Sequence, residues 1–148
     1  MLTWTIKPFG DLTTKELYEL LRFRSEIFIV EQECVYNDCD TKDYHSYHCV
    51  MRDGERIVGC LRIVQPGISY KELSFGRVAV RKELRGTGLA RRLIEIAVDF
   101  SIRELGEHDV RISAQQYAEG FYRKMGFETV SDPYLEDDIP HVEMLAHF

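Results

Sequence analysis

The chain has 148 residues, 45% of them hydrophobic and 30% charged, with 19 Lys and Arg against 25 Asp and Glu, a net charge of −6. That length and balance exclude a disordered chain and fit one domain spanning residues 1–148. An acidic total argues against a nucleic-acid binder, which needs a basic face. The longest unbroken apolar run, Ile27-Phe28-Ile29-Val30, is far short of the roughly 20 residues of a membrane span. The N-terminus alternates in polarity and lacks the basic start and apolar stretch of a secretory leader. Cys34, Cys39, Cys49 and Cys60 are sparse for a disulfide framework and read as reduced thiols of a cytoplasmic protein.

Leu2, Trp4 and Ile6 alternate with polar residues, which predicts a half-buried strand. After a turn at Pro8-Phe9-Gly10-Asp11, Thr13 stands three residues before Glu16, the spacing of a capping box, and opens a helix. Its apolar stripe is Leu17, Leu20, Leu21, Ile27 and Phe28; residues 31–44 are polar and acidic and predict a loop, with room for a short helical turn. Strands follow at 45–52 and 56–64, joined by Asp53-Gly54, a hairpin signal because glycine tolerates positive φ. A further strand is predicted at 73–80. A helix at 88–105 carries Leu89, Leu93, Ile96, Ala97 and Phe100 on one face and stops at Gly106. A strand at 109–114, a short helix at 117–125, a polar loop at 130–139 and a last strand at 142–148 complete the chain. Strands mixed with helices around one core predict an α/β (α+β) fold with a mixed central sheet.

The segment richest in chemistry is Val78-Ala79-Val80-Arg81-Lys82-Glu83-Leu84-Arg85-Gly86-Thr87-Gly88-Leu89-Ala90. A strand enters a glycine-bearing turn that opens a helix. Glycines let backbone N–H groups approach a ligand, and a helix start adds unpaired donors and a positive dipole end. Together these suit a pyrophosphate. Arg85, Arg91 and Arg92 add positive charge. A nucleotide P-loop requires Lys-Ser/Thr after its last glycine, where Leu89-Ala90 stands; a dinucleotide fingerprint requires a third small residue where Arg91 stands.

Arg85-x-x-Gly88-x-Ala90 after an apolar strand resembles the acetyl-CoA pyrophosphate loop of the GNAT superfamily of N-acetyltransferases. Ala118-x-x-Phe121-Tyr122-x-Lys124-x-Gly126-Phe127 resembles that family's downstream helix and turn. Phe23 to Gln32, Gly76-Arg77-Val78-Ala79-Val80 and Glu136-Asp137-Asp138-Ile139-Pro140-His141 look like its ElaA-like branch. The resemblance implies acetyl transfer from acetyl-CoA to an amine, and a sheet splayed open beside the cofactor strand. It implies that Val78, Ala79 and Val80 pair with the pantetheine arm, and that Arg85, Gly86, Thr87, Gly88, Leu89 and Ala90 hold the pyrophosphate. The Val80 N–H would face the thioester oxygen, and Tyr122 occupies the family's position for the general acid.

Relatives that carry a basic glutamate place it on the strand before the loop. Here 73–80 has no carboxylate, and Arg77 stands near the expected place. The remaining base candidates are Glu31, Asp40, His45, His48 and His141, with Glu31 and His141 kept as the working pair. The acidic segments 31–43 and 136–138 would flank the acceptor pocket in such a fold. Asp40 and Asp137 are then the residues expected to meet a cationic small-molecule or peptide amine. Cys34, Cys39, His45, His48 and Cys49 lack the paired spacing of a zinc site, so no metal is expected. A catalytically impaired acyl-CoA-binding sensor stays open as the alternative, as does a homodimer.

Overall fold

The computed structural model describes residues 1–148. Strand β1 (Leu2–Pro8) precedes helix α1 (Thr14–Arg24), which runs directly into a π-helical segment, Ser25–Glu31. Strands β2 (Ser46–Asp53), β3 (Arg56–Val64) and β4 (Ser74–Val80) follow, then helix α2 (Leu89–Leu105). The chain ends with β5 (Asp109–Gln115), α3 (Glu119–Lys124), β6 (Glu128–Thr129), β7 (Tyr134–Glu136) and β8 (Ile139–His147).

Two antiparallel sheets result. The first has the order β1-β2-β3-β4; in the second β8 lies between β5 and β6 and also pairs with β7. The expected mixed sheet reduces to one parallel bridge, Leu73 to Val110, where the Arg111 N–H donates to the Leu73 carbonyl at 2.9 Å. β4 and β5 part beyond it, so the two sheets are hinged at one end and open at the other.

Alternation along β2 sends Cys49 and Met51 into one core cluster and Val50 into another. The larger cluster joins both sheets to α2 through Leu93, Ile94 and Ala97, all fully buried. α2 sits so close to β3 that a Cβ on Gly59 would lie 3.0 Å from Leu93 Cδ1 and 3.2 Å from the Ala79 carbonyl. The other face of the first sheet carries α1, through Leu20, Phe23 and Ile27 against Val50, Ile57, Cys60 and Ala79. The capping box of α1 forms as its spacing predicts: the Glu16 N–H donates to Thr13 Oγ1, and the Thr13 N–H to Glu16 Oε1.

Three elements differ from the sequence reading. The helical stripe ending at Phe28 continues as wide π turns, whose extra residue per turn no apolar period reveals. The loop expected at 130–139 contains β7, and β8 begins at Ile139 rather than at 142. Asp137 and Asp138 both adopt left-handed backbone (φ 51° and 61°) and close a two-residue hairpin that usually employs glycine. The helix expected at 117–125 is a short 3-10 turn followed by the α-helical residues Glu119–Lys124.

Candidate active site

The opening between β4 and β5 holds two adjoining cavities of about 600 and 420 Å³. Phe28, Gln32, Val78, Gln115, Tyr117 and Ile139 line both, so they form one cleft. The smaller end reaches Val80, Arg85 and Glu31; the larger end reaches Tyr122, Arg62, Arg77, Glu136 and His141.

β4 gives the cleft its backbone edge. Val80 pairs with Gly59 of β3, while the Arg81 N–H bonds the Val58 carbonyl at 2.9 Å and the Val80 carbonyl accepts from Arg85 Nε at 3.0 Å. In an antiparallel ladder both polar groups of a residue point the same way, and neighbours alternate. The Val78 and Val80 N–H and C=O groups therefore face away from β3, toward the cleft, and Ala79 faces its partner strand.

The loop after β4 makes a 3-10 turn, Lys82–Leu84, before Gly86 (φ 79°) and Gly88 (φ 90°) turn the chain into α2. A Cβ at either glycine would meet nothing within 4 Å. Backbone conformation, not crowding, is what requires glycine there. The N–H groups from Gly86 through Arg91 make no well-formed hydrogen bond within the chain, and no side chain caps the helix. The Arg85 N–H differs from its expected role: it bonds the Lys82 carbonyl at 3.3 Å. Arg85 contributes its side chain instead, held by Val80 and by Glu31 at 2.5 Å. Arg91 pairs with Glu95, and Arg92 stacks on Trp4 with 5.0 Å from Cζ to the ring centre, so neither adds to the loop. Thr87 Oγ1 donates to the Leu84 carbonyl and closes the turn.

Tyr122 stands on α3 with its ring edge-on to Phe121 and Phe127. Burial pushes its phenol up to about 12. The hydroxyl has no hydrogen-bond partner in the chain, and Tyr122 lines the larger end of the cleft.

Of the base candidates, Glu31 lies at the small end and is engaged by Arg85. His48 is buried and bonds the Asp43 carbonyl through Nε2; burial first, and Arg24 and Arg62 further, lower its pKa. His45 is exposed and outside the cleft. His141 is 6% exposed and lines the large end. Its Nδ1 lies 2.7 Å from the Ile139 carbonyl, which can only accept, so the ring proton is on Nδ1. Its Nε2 lies 3.4 Å from Glu136 Oε2. Ser113 donates to Glu136 Oε1 at 3.3 Å and shares a 2.5 Å hydrogen bond with Tyr134, whose ring stacks on His141.

The acidic segment 31–43 behaves differently from its expected role as a negatively charged rim. Its aspartates meet three arginines. Arg24, 1% exposed at the end of α1, binds Asp38 through Nε at 2.9 Å and Asp43 through Nη1 at 2.7 Å. Arg62 of β3 grips Asp40 with two hydrogen bonds, 2.7 and 2.6 Å, and reaches Asp43 at 3.1 Å. Arg77, left-handed at φ 49° inside β4 beside a register shift, places Nε 2.7 Å from Asp38 Oδ1 without hydrogen-bond alignment, and Nη2 3.3 Å from Asp40. Burial alone would raise the Asp40 carboxyl, but the Arg62 hydrogen bonds and the charges of Arg62 and Arg77 hold it at about 2. Arg24 and Arg62 likewise outweigh burial and lower Asp43. Asp40 thus lines the cleft with its charge already matched, whereas Asp137 stays exposed at the opposite wall.

Sequence reasoning missed Arg24 and Arg62, and with them the reason the loop folds inward. Their signal was an arginine beside core apolar residues, Arg24 after Phe23 and Arg62 between Leu61 and Ile63. A buried guanidinium needs carboxylates, and the acidic loop supplies them. Ser113 and Gln115 were also missed, because only the splay of β5 turns them toward a cavity.

The family described as Acetyltransferase (GNAT) domain matches residues 14–148. A UPF0039 protein of Synechocystis is 37% identical over 145 residues, covering 97% of this chain and 94% of the relative. Protein ElaA of Escherichia coli is 30% identical over 146 residues, covering 97% and 95%. Among solved structures, an acyl-CoA N-acyltransferase from Pseudomonas aeruginosa superposes with a TM-score of 0.93 at 37% identity, covering 99% of each chain. The crystal structure of E. coli ElaA superposes at 0.92 and 29% identity, covering 99% of this chain and all of that one. The cleft, the glycine loop and these matches agree, and the chain belongs to the GNAT acyltransferase family, in its ElaA-like branch.

Proposed function

We propose that this acyltransferase moves an acetyl group from acetyl-CoA to a primary amine of a small molecule or peptide by direct attack on the thioester. The observation that carries the reading is the continuity of the cleft. Val78, Val80, Arg85 and Tyr122 border one connected space, and the unpaired amides from Gly86 to Arg91 follow Arg85 directly in the chain.

Bound acetyl-CoA supplies an activated acyl group. The amides after Gly86 suit its diphosphate, and the outward N–H and C=O of Val78 with the N–H of Val80 suit an amide-bearing arm lying alongside as an added strand. The Val80 N–H is aimed where negative charge would gather on the carbonyl oxygen, a donor worth about 3–4 kcal/mol in such sites. Tyr122 stays protonated at every working pH and donates to the sulfur. Because a thiol titrates near 8.5, far below this phenol, its service is a strong hydrogen bond to the leaving sulfur more than a completed proton transfer.

His141 is the base the geometry favours over Glu31. With Nδ1–H fixed on Ile139, the neutral ring offers its lone pair at Nε2, and Glu136 stabilises the cation that forms. The anionic wall for a positively charged amine is then Glu136 with Asp137, and Asp40 acts by setting Arg62 and Arg77. The sensor alternative rests on Arg77 occupying the place of a strand carboxylate. We place the protein in the cytoplasm on its four free thiols, two of them buried with Cys49 and Cys60 both pushed up to about 12.

Two measurements test this. Thermal shifts with acetyl-CoA, CoA, ATP and NAD should single out the CoA compounds, since a ligand at 100 times its Kd stabilises by about 2.7 kcal/mol. Thiol release from acetyl-CoA across a panel of amines should rise above hydrolysis for at least one amine. Binding without any amine-dependent release would leave the sensor.

A further inference from the structure

We propose that the acceptor carries a carboxylate as well as its amine, and that Lys42 and Arg62 on the wall opposite Glu136 receive that carboxylate. The proposal rests on the acyltransferase reading and narrows its substrate class to amino acids and related amino carboxylates.

Three observations point the same way. First, the charges on the β3 and β4 wall do not cancel. Asp38, Asp40 and Asp43 are matched by Arg24, Arg62 and Arg77. Lys42 remains: it is half-buried, it lines the large end of the cleft, and its ammonium has no partner. Second, Arg62 has a donor to spare. The side chain is 6% exposed and borders the cleft, and its Nε is buried with no acceptor. A buried donor left unpaired is costly, and an oxygen brought by a ligand would relieve it. Third, the residue of β4 beside that donor puts no side chain against it. Residue 76 of β4 is glycine, also on the cleft, and the Cβ it lacks would sit 3.7 Å from Arg62 Nε. Its backbone is not left-handed, so the position requires no glycine for conformation.

The far wall has the opposite sign. Glu136, Asp137 and His141 come from β7, its hairpin turn and β8, and Tyr122 lies on the same cavity. A cleft with a spare cation on one wall and carboxylates with a base on the other is dipolar across its width. A plain alkylamine satisfies one wall and leaves Lys42 and Arg62 Nε unpaired. An amino carboxylate satisfies both. In the reaction the ammonium gives one proton to His141 Nε2, the neutral nitrogen then bonds the acetyl carbon as the carbon–sulfur bond breaks, its second proton goes to the departing sulfur, and the products are an N-acetyl amino carboxylate and CoA. The carboxylate is unchanged throughout and serves to orient the amine.

The test compares acids with their own carboxamides, which keep the amine and lose the charge. α-Amino acids and ω-amino carboxylates from three to six carbons are each assayed beside the carboxamide for thiol release from acetyl-CoA. The best acid should exceed its carboxamide by 10-fold or more in kcat/KM. Lys42→Gln, and separately Gly76→Ala, should bring that ratio toward one, mainly through KM of the acid. A carboxamide equal to or better than every acid overturns the proposal. If no compound releases thiol although acetyl-CoA raises the melting temperature, acyl transfer is what has failed. Ligand-detected NMR with the same acids and CoA then decides: saturable binding that Lys42→Gln abolishes supports the carboxylate site, and no binding overturns it.

Discussion

Arg24 Nη1 lies 2.7 Å from Asp43 Oδ1, with side chains 2% and 9% exposed, and this pair ties the end of α1 to the turn that precedes β2. The same guanidinium reaches both Asp38 Oδ2 and the Asp38 carbonyl. Removing it leaves two buried carboxylates with fewer counter-charges. Arg24→Met should therefore destabilise the fold by about 3–5 kcal/mol, the usual consequence of stranding a buried charge. The urea midpoint of the variant checks it. A loss below about 1 kcal/mol would show that the loop tolerates an unmatched network.

Acid should weaken the protein in two stages. Burial lowers the His48 pKa, so the unfolded chain binds the proton more readily than the folded one. That group's contribution is complete above its unfolded value of about 6.5 and is lost as pH falls below it. Asp40 is held at about 2 and Asp43 is lowered as well. Their contributions are complete above the unfolded value of about 3.9 and are lost as pH falls toward 2. Urea midpoints should decline gently from pH 7 to 5 and steeply below pH 4. His48→Gln should flatten the first stage alone.

Tyr122→Phe keeps the ring packing against Phe121 and Phe127 and removes the hydroxyl. Its kcat should fall by about 100-fold, within the usual range for a positioned proton donor. The thermal shift given by acetyl-CoA should persist. A kcat within twofold of the parent would remove Tyr122 from the mechanism.

His141→Gln should lower kcat/KM about 100-fold near neutral pH. The deficit should shrink at alkaline pH, where the amine arrives already neutral. Steady-state profiles from pH 6 to 10 separate this from a structural defect, which would depress every pH alike.

Gly88 caps α2 at φ 90°. An L side chain there costs roughly 1–2 kcal/mol in backbone conformation alone. Gly88→Val should weaken CoA binding more than Gly88→Asn, since asparagine adopts left-handed backbone more readily. Calorimetric titration of CoA gives the ranking, and equal affinities for the two variants would contradict it.

The elements were legible where hydrophobic period and turn chemistry agree. Thr13 and Glu16 announced α1, Asp53-Gly54 announced the β2–β3 hairpin, and Gly86 with Gly88 announced the turn into α2. The Asp137-Asp138 hairpin was hidden because aspartate signals a loop as readily as a left-handed turn. The site divided along a similar line. The glycine-bearing turn ahead of α2 could be read from a local motif, whereas roles for the Val80 edge and Tyr122 came only with the family resemblance. The burial of Arg24 and Arg62 could not be read from a local motif, because their aspartate partners lie 14 to 22 residues away in sequence. Local charge counting then mistook an internally neutralised loop for an acidic rim.

The divergence of β4 from β5 leaves two ribbon edges in the middle of the molecule without lateral partners. Interior strands ordinarily shield their amides from solvent deuterium for as long as the fold persists. The outward amides of Val78 and Val80 lack that shelter, although both residues belong to a central element. They should exchange on the timescale of surface loops in the free protein and slow sharply once a guest lies along them. The breach that admits a partner is thus also the place where the empty protein is most open to adhesion by stray extended peptides.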